Sequence, residues 1–382
     1  MTTLKKIVLG SAALLSMMYS LQSCKKTYST DDALAIPYVA SVYAVNSNKT
    51  VYALEPGTGT KRWEAKVNND VYATPVVISR KLYVVDVAGM IYKINPKNGA
   101  IEGTKSLGGP VFGTPLVYDN KLVIPIGSTV KLIDPNDNFN AVWSYTAGVP
   151  VLTTPTINVI KTGTDKTVFF VADTNVYALK AATGAQVWKK GVTGAGIFNS
   201  SICAANSNYL YAGNDDGQLY AFNSNDGSTY WTYPTGAAIK SSPISIGGNV
   251  IVGSNDRQLY SVDSATGLLR WKYTAADRIS SSPFVYDQNV YFGSNDYNLY
   301  ALNIIDGTLK WKFLSFSVIT SSPLAYGNTL YFNSYDKNLY ALNSETGAQK
   351  WTYNTNATMN ASMILDTISG SVVPSISGNY PY

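Results

Sequence analysis

Residues 279–313 read ISSSPFVYDQNVYFGSNDYNLYALNIIDGTLKWKF, and residues 319–353 read ITSSPLAYGNTLYFNSYDKNLYALNSETGAQKWTY. The second line is the first again, 40 residues later: Trp311 falls on Trp351, Pro283 on Pro323, and Leu299-Tyr300-Ala301-Leu302 on Leu339-Tyr340-Ala341-Leu342. A repeat at fixed period decides the architecture before any local motif does. Each copy is a unit that cannot bury its faces alone and must stack on its neighbours.

The tryptophans carry the phase outward. Trp63, Trp143, Trp188, Trp231, Trp271, Trp311 and Trp351 are separated by 80, 45, 43, 40, 40 and 40 residues. The gap of 80 is two periods, and Gly103 stands at its midpoint, in a segment that matches TGLLRWKYT with the indole missing. The chain therefore holds eight copies. A Tyr-Ala-Leu-like tetrapeptide keeps the same phase, from 51–54 VYAL through 91–94 IYKI to 339–342 LYAL. So does Ser/Thr-Pro, at Pro75, Pro115, Pro155, Pro243, Pro283 and Pro323, with Ser201 and Met363 expected in place of the other two prolines.

Each copy divides into four short β segments. In 279–313 they are ISSSPFVY, NVYFGS, NLYALN and TLKWKF. They are rich in Tyr, Val, Phe and Ile and are bounded by Asn, Asp and Gly turn formers. The middle two are apolar at successive positions, as strands covered on both faces are. Four strands in about 40 residues is the arithmetic of a β-propeller blade. The expected fold is all-β: an eight-bladed β-propeller with four antiparallel strands per blade.

The ends of the chain predict a closed ring. Residues 42–54 align with 290–302, so the N-terminal copy begins at a second strand. Residues 358–365 align with 278–285, so the C-terminal copy stops after a first strand. Together they complete one blade and leave no open edge. Residues 370–373, GSVV, also fall in second-strand register. The tail 367–382 therefore either competes with the N-terminal copy or lies outside it.

Residues 1–24 read MTTLKKIVLGSAALLSMMYSLQSC: two lysines, an apolar run, then small and polar residues. This is the pattern of a secretory signal. Leu21-Gln22-Ser23-Cys24 resembles the lipobox of bacterial lipoproteins, which implies lipid attachment at Cys24. A simple signal peptide with an incidental cysteine is the plainer alternative. The expected division is a signal peptide at 1–23, a lipidated cysteine and tether at 24–37, the ring at 38–366, and the tail at 367–382.

The net charge is +5, of which Lys5 and Lys6 supply two, and no Lys/Arg-rich run exists, so nucleic-acid binding is not indicated. The chain has no histidine, which excludes His-based triads and His metal ligands. Its second cysteine, Cys203, falls in a first strand and reads as a small buried apolar residue. The Asp/Asn-rich turns at 214–217, 254–256, 294–296 and 134–138 invite a calcium reading. They lack the terminal Glu of a calcium loop and recur at one blade position, so they read as turn chemistry.

The pattern Leu259-Tyr260, Thr266-Gly267, Trp271, and again Leu339-Tyr340, Thr346-Gly347, Trp351, resembles the pyrroloquinoline-quinone-type propeller repeat. The resemblance implies that the seven tryptophans dock one blade against the next. Glycines 57, 184, 227, 267, 307 and 347 are read as supplying the freedom of the hairpin turn beside them. Gly103 is expected to make its seam the loosest. A lipoprotein signal, a tether and eight such blades resemble the BamB-type scaffold lipoproteins of outer-membrane β-barrel assembly. That implies a non-enzymatic, monomeric ring without cofactor or metal. It would sit at the bacterial outer membrane, facing the periplasm, and bind other envelope proteins such as the β-barrel assembly machinery through inter-blade loops. Two alternatives stay open. One is a small quinone-dependent dehydrogenase or a cofactor-binding relic, against which stands the neutral Ser/Thr lining expected near the axis, with Lys240 and Arg278 as exceptions. The other is a surface-exposed glycan or ligand binder. The insertions at 158–167 and 203–208 lengthen the period and are the expected binding loops.

Overall fold

In the computed structural model the described residues are 39–159, 166–205, 208–367 and 372–374. Cys24, the signal segment, the tether and the tail beyond Pro374 lie outside them, as do 160–165 and 206–207 of the two insertions. The described residues contain strands and turns and no helix, arranged as eight antiparallel sheets. Seven of the sheets are four-stranded and contiguous in sequence; blade 7, for example, is Phe284–Tyr286, Asn289–Gly293, Asn298–Asn303 and Leu309–Leu314.

The first blade joins the two ends of the chain. Ser41–Asn46 pairs antiparallel with Ile364–Asp366, in the register Ser41↔Asp366, Val42↔Leu365 and Tyr43↔Ile364. The tail does not displace the N-terminal copy. The N-terminal copy takes the second-strand place, and Val372–Pro374 pairs with the other edge of Ile364–Asp366 as a fifth strand. Ile364–Asp366 holds the first-strand place, so the added strand lies on the axial side of the blade.

The second and third strands of each blade are buried throughout most of their length. Leu299, Ala301 and Leu302 are fully inaccessible, and Leu339, Ala341 and Leu342 match them one blade on. The core is thus a series of layers between sheets. Phe332 and Tyr340 stack within one blade at 4.9 Å, and Phe313 of the preceding blade meets both edge-on. These aromatic contacts lie among aliphatic side chains such as Leu324, Leu330 and Leu342, which make up most of each layer.

Strands alternate in direction, which gives the ring two distinct faces. On one, the hairpins joining first to second and third to outer strands emerge. On the other lie the turn between second and third strands and the crossover from an outer strand to the next blade. We call these the hairpin face and the crossover face.

Candidate functional site: the blade seams, the axial ring and the crossover face

Each indole reaches across a seam. The Nε1–H of Trp63 donates to the Pro96 carbonyl at 2.8 Å, Trp271 to Ile304 at 3.0 Å, and Trp351 to Pro56 at 2.9 Å, closing the ring. Trp143, Trp188, Trp231 and Trp311 do the same to Ala181, Ser224, Ser264 and Ser344. The acceptor always sits in the third-to-outer hairpin of the following blade. The glycine of that hairpin forms the floor of the indole's seat. At Gly347 φ is +72°, and a Cβ would come within 2.7 Å of the Trp311 ring. The glycine is needed twice, for the left-handed turn and for the room. In the first blade this residue is Gly59, with φ +71° and a Cβ position 2.6 Å from Trp351, and not Gly57 as the repeat suggested.

Gly103 holds the tryptophan place, in register opposite Lys93 as Trp63 is opposite Ala53. Its seam is nevertheless filled. Phe139, from the next blade's hairpin, is buried and comes within 4.0 Å of a Cβ at Gly103.

Nearer the axis, backbone and hydroxyl groups form six of the eight links of a second circle. The N–H of Thr74 donates to Thr114 Oγ1, Thr114 to Thr154, Thr154 to Ser201, Ser201 to Ser242, Ser242 to Ser282, and Ser322 to Ser362, all between 2.9 and 3.1 Å. Each link crosses from one blade's first strand to the next. Ser201 therefore belongs to the hydroxyl circle, and Ile202, not Ser201, stands where other copies carry proline.

The Asp-bearing turns face the crossover loops. Asp296 accepts from the Tyr300 hydroxyl at 2.6 Å, the Ala276 N–H at 2.8 Å and the Asn298 N–H at 2.9 Å. Burial pushes this carboxyl up, but the bonds from Tyr300, Asn298 and Ala276 outweigh it and hold it below its ordinary value. Asp256 and Asp336 are held by Tyr260 and Tyr340 and by the N–H groups of Gly236 and Phe316. These carboxylates are saturated by the chain itself, as turn chemistry requires. Among the described residues no group of three His, Cys, Asp or Glu is placed to hold a metal ion. Cys203 is buried, and burial pushes its thiol up to about 12.

The crossover face carries apolar side chains in the open. Tyr72, Phe112 and Leu152 stand two residues before successive members of the hydroxyl circle, and the rings of Tyr72 and Phe112 lie 6.1 Å apart. A second exposed group, Tyr297, Leu314, Phe316 and Tyr335, crowns the seam between blades 7 and 8.

Closed eight-bladed rings sealed by their own ends, with docking tryptophans at the seams, define a class of β-propellers. The chain matches the family model described as "Outer membrane protein assembly factor BamB" over residues 47–195, 172–313 and 244–374, and it belongs to that family. No curated protein matches it in sequence. Among solved structures, BamB from Moraxella catarrhalis is 16% identical, with a TM-score of 0.65 over 80% of this chain and 96% of that one. The computationally designed Ika8 protein is 13% identical, with a TM-score of 0.66 over 83% and 97%. The quinohemoprotein alcohol dehydrogenase ADHIIG from Pseudomonas putida HK5 is 13% identical, with a TM-score of 0.64 over 84% and 72%. At these identities the structural likeness speaks for the fold alone.

The last neighbour raises the question of a quinone with its calcium ion. Such a group needs carboxylate and amide oxygens for the metal and cations for its own carboxylates. At the positions two residues before the circle's hydroxyls stand Tyr72, Phe112, Leu152, Asn199, Lys240, Ser280, Thr320 and Asn360. That set offers one cation and no carboxylate, above a circle of neutral hydroxyls. These residues do not fit the group.

Proposed function

We propose that this chain is a non-catalytic, lipid-anchored propeller scaffold that binds other proteins in the bacterial envelope and serves outer-membrane β-barrel assembly. Cys24 carries the lipid, and the ring stands at the outer membrane on its periplasmic side. The observation that carries this reading is the family match, which runs through the repeats from 47 to 374. The exposed aromatic and aliphatic side chains of the crossover face support it, since contiguous apolar groups on a soluble surface mark places of association. The axial positions argue the same way, because they present Lys240 as their one cation and no carboxylate for a quinone and its metal ion.

Crosslinking of intact membranes followed by mass spectrometry tests it. Crosslinks from the crossover face to components of the β-barrel assembly machinery are expected, together with a lipid-modified Cys24 peptide. Membrane release of a Cys24→Ala variant is the companion result. A chromophore and dye reduction on adding quinone and calcium to the purified protein would replace this reading with a dehydrogenase.

A further inference from the structure

The exposed group at the seam of blades 7 and 8 is built, not scattered. Tyr297 and Tyr335 sit in the second-to-third turns of adjacent blades, and the crossover 314–318 runs between them. Ser315 N–H and Oγ–H both donate to the Tyr297 carbonyl at 2.8 Å, the Phe316 N–H donates to Asp336 at 3.0 Å, and the Tyr335 N–H donates to the Val318 carbonyl at 3.0 Å. The backbone is therefore fixed on both sides, while Leu314 is 64% and Phe316 85% exposed. Other copies place Ala276, Gly236 or Gly148 where Phe316 stands, so the turn itself has no need of an aromatic.

The charge around this crest has one sign to spare. Arg278 lies beside the Tyr297 turn, its carbonyl accepting the Asn295 N–H at 2.9 Å. Lys337 is two residues beyond Tyr335, and Lys312 shares an outer-strand face with Leu314. All three are exposed, and none makes an ion pair among the described residues. Asp296 and Asp336 are turned inward to Tyr300 and Tyr340. Asp277, on the same loop as Arg278, is an exposed carboxylate beside the crest. The ring's first strand begins at Ser41, on the hairpin face, opposite this crest.

We propose that the crest of Tyr297, Leu314, Phe316 and Tyr335 docks an acidic, hydrophobic segment of a partner protein. The partner's large apolar side chains lie against Phe316 and Leu314, and its carboxylates meet Arg278, Lys312 and Lys337. Rigid aromatic groups in a fixed backbone lose little entropy on contact, which suits them as anchors. This deepens the scaffold reading and rests on it.

The test uses the purified mature protein and a short fluorescent peptide alternating Phe and Leu with Asp and Glu. A lysine-for-acid version of the peptide and vesicles of phosphatidylglycerol and phosphatidylcholine serve as controls. Binding of the acidic peptide is expected, with affinity falling about tenfold or more in a Leu314→Ser/Phe316→Ser variant. A Lys337→Glu change should weaken binding and flatten its dependence on salt. These side chains face solvent, so thermal melts should be unchanged. Equal binding by parent and variant overturns the inference, as does preference for the lysine peptide. Phe316-dependent binding to vesicles, without binding to peptide, assigns the crest to a bilayer instead and also overturns it. Photocrosslinks in membranes from other crossover loops but none from position 316 would sink this inference and leave the scaffold reading standing.

Discussion

The ring of Phe139 lies 6.2 Å from that of Tyr83, edge to face, in the slot that an indole fills at the other seams. One blade earlier the corresponding contact is Tyr43 with Trp63, at 5.8 Å. This seam has Gly103 where others have tryptophan, and it is filled from the opposite wall. Two residues, 36 apart in sequence, thus complement each other across one interface. Gly103→Trp alone should be destabilising, because two aromatic groups then claim one space; overpacking costs about 1–3 kcal/mol. Phe139→Ala alone should cost about 3–5 kcal/mol by leaving a cavity. The double variant should recover part of both losses. Thermal melts of the four proteins form a cycle, and strictly additive losses would refute the pairing.

The glycine and the indole that it seats should show the same coupling. Trp311→Ala removes a large side chain and its bond to Ser344, an expected loss of about 3–5 kcal/mol. Gly347→Ala should also destabilise, because its φ is +72° and its Cβ would press on the Trp311 ring. In a Trp311→Ala background only the backbone part of that penalty remains, roughly 1 kcal/mol. Denaturant midpoints measure this directly. An undiminished cost for Gly347→Ala without the indole would mean that room is not what the glycine provides.

Much of this was legible in the sequence because a repeat reports its own register. Period, strand order and the sealing of the ring follow from Trp311 on Trp351 and from 42–54 on 290–302. What one copy does differently was not legible. Phe139 compensates a residue in another blade, and only the folded seam brings it to Tyr83. The repeat sets Ser201 one residue out of place because hydroxyl and proline positions are adjacent, and a bond across blades decides between them. The crest at Phe316 has no motif at all. It is an ordinary turn position that happens to carry a large side chain, and exposure is a property of three dimensions.

Asp366 sets a pH dependence on the closing blade. It is buried between Ser41–Asn46 and Val372–Pro374, and neither carboxylate oxygen has a hydrogen-bond partner. Burial pushes its carboxyl up to about 7, from 3.8. The folded chain thus holds this proton where the unfolded chain releases it. Its contribution is most favourable below the unfolded value, declines as pH rises, and is lost once pH passes about 7. Asp366→Asn keeps the shape without the charge. The variant should match the parent near pH 4, and its melting temperature should exceed the parent's increasingly up to about pH 7, then by a constant margin. A difference that does not change with pH would show that the carboxyl is not the source.

The hydroxyl circle should hold the first strands in place one acceptor at a time. Thr74 is buried, and its N–H has Thr114 Oγ1 as acceptor at 3.0 Å. Thr114→Val keeps the volume and removes the acceptor, leaving a buried donor unpaired at a cost of about 1–3 kcal/mol. Thr114→Ser keeps the oxygen and removes only a methyl group, so it should cost less. Amide hydrogen exchange separates this from a general loss of stability. Exchange at Thr74 should accelerate more than at Leu82 or Val84 in the same neighbouring blade when Thr114 becomes valine, and should stay near the parent rate when it becomes serine. Equal acceleration in both variants would mean that packing by the methyl group, and not the bond between blades, holds the strand.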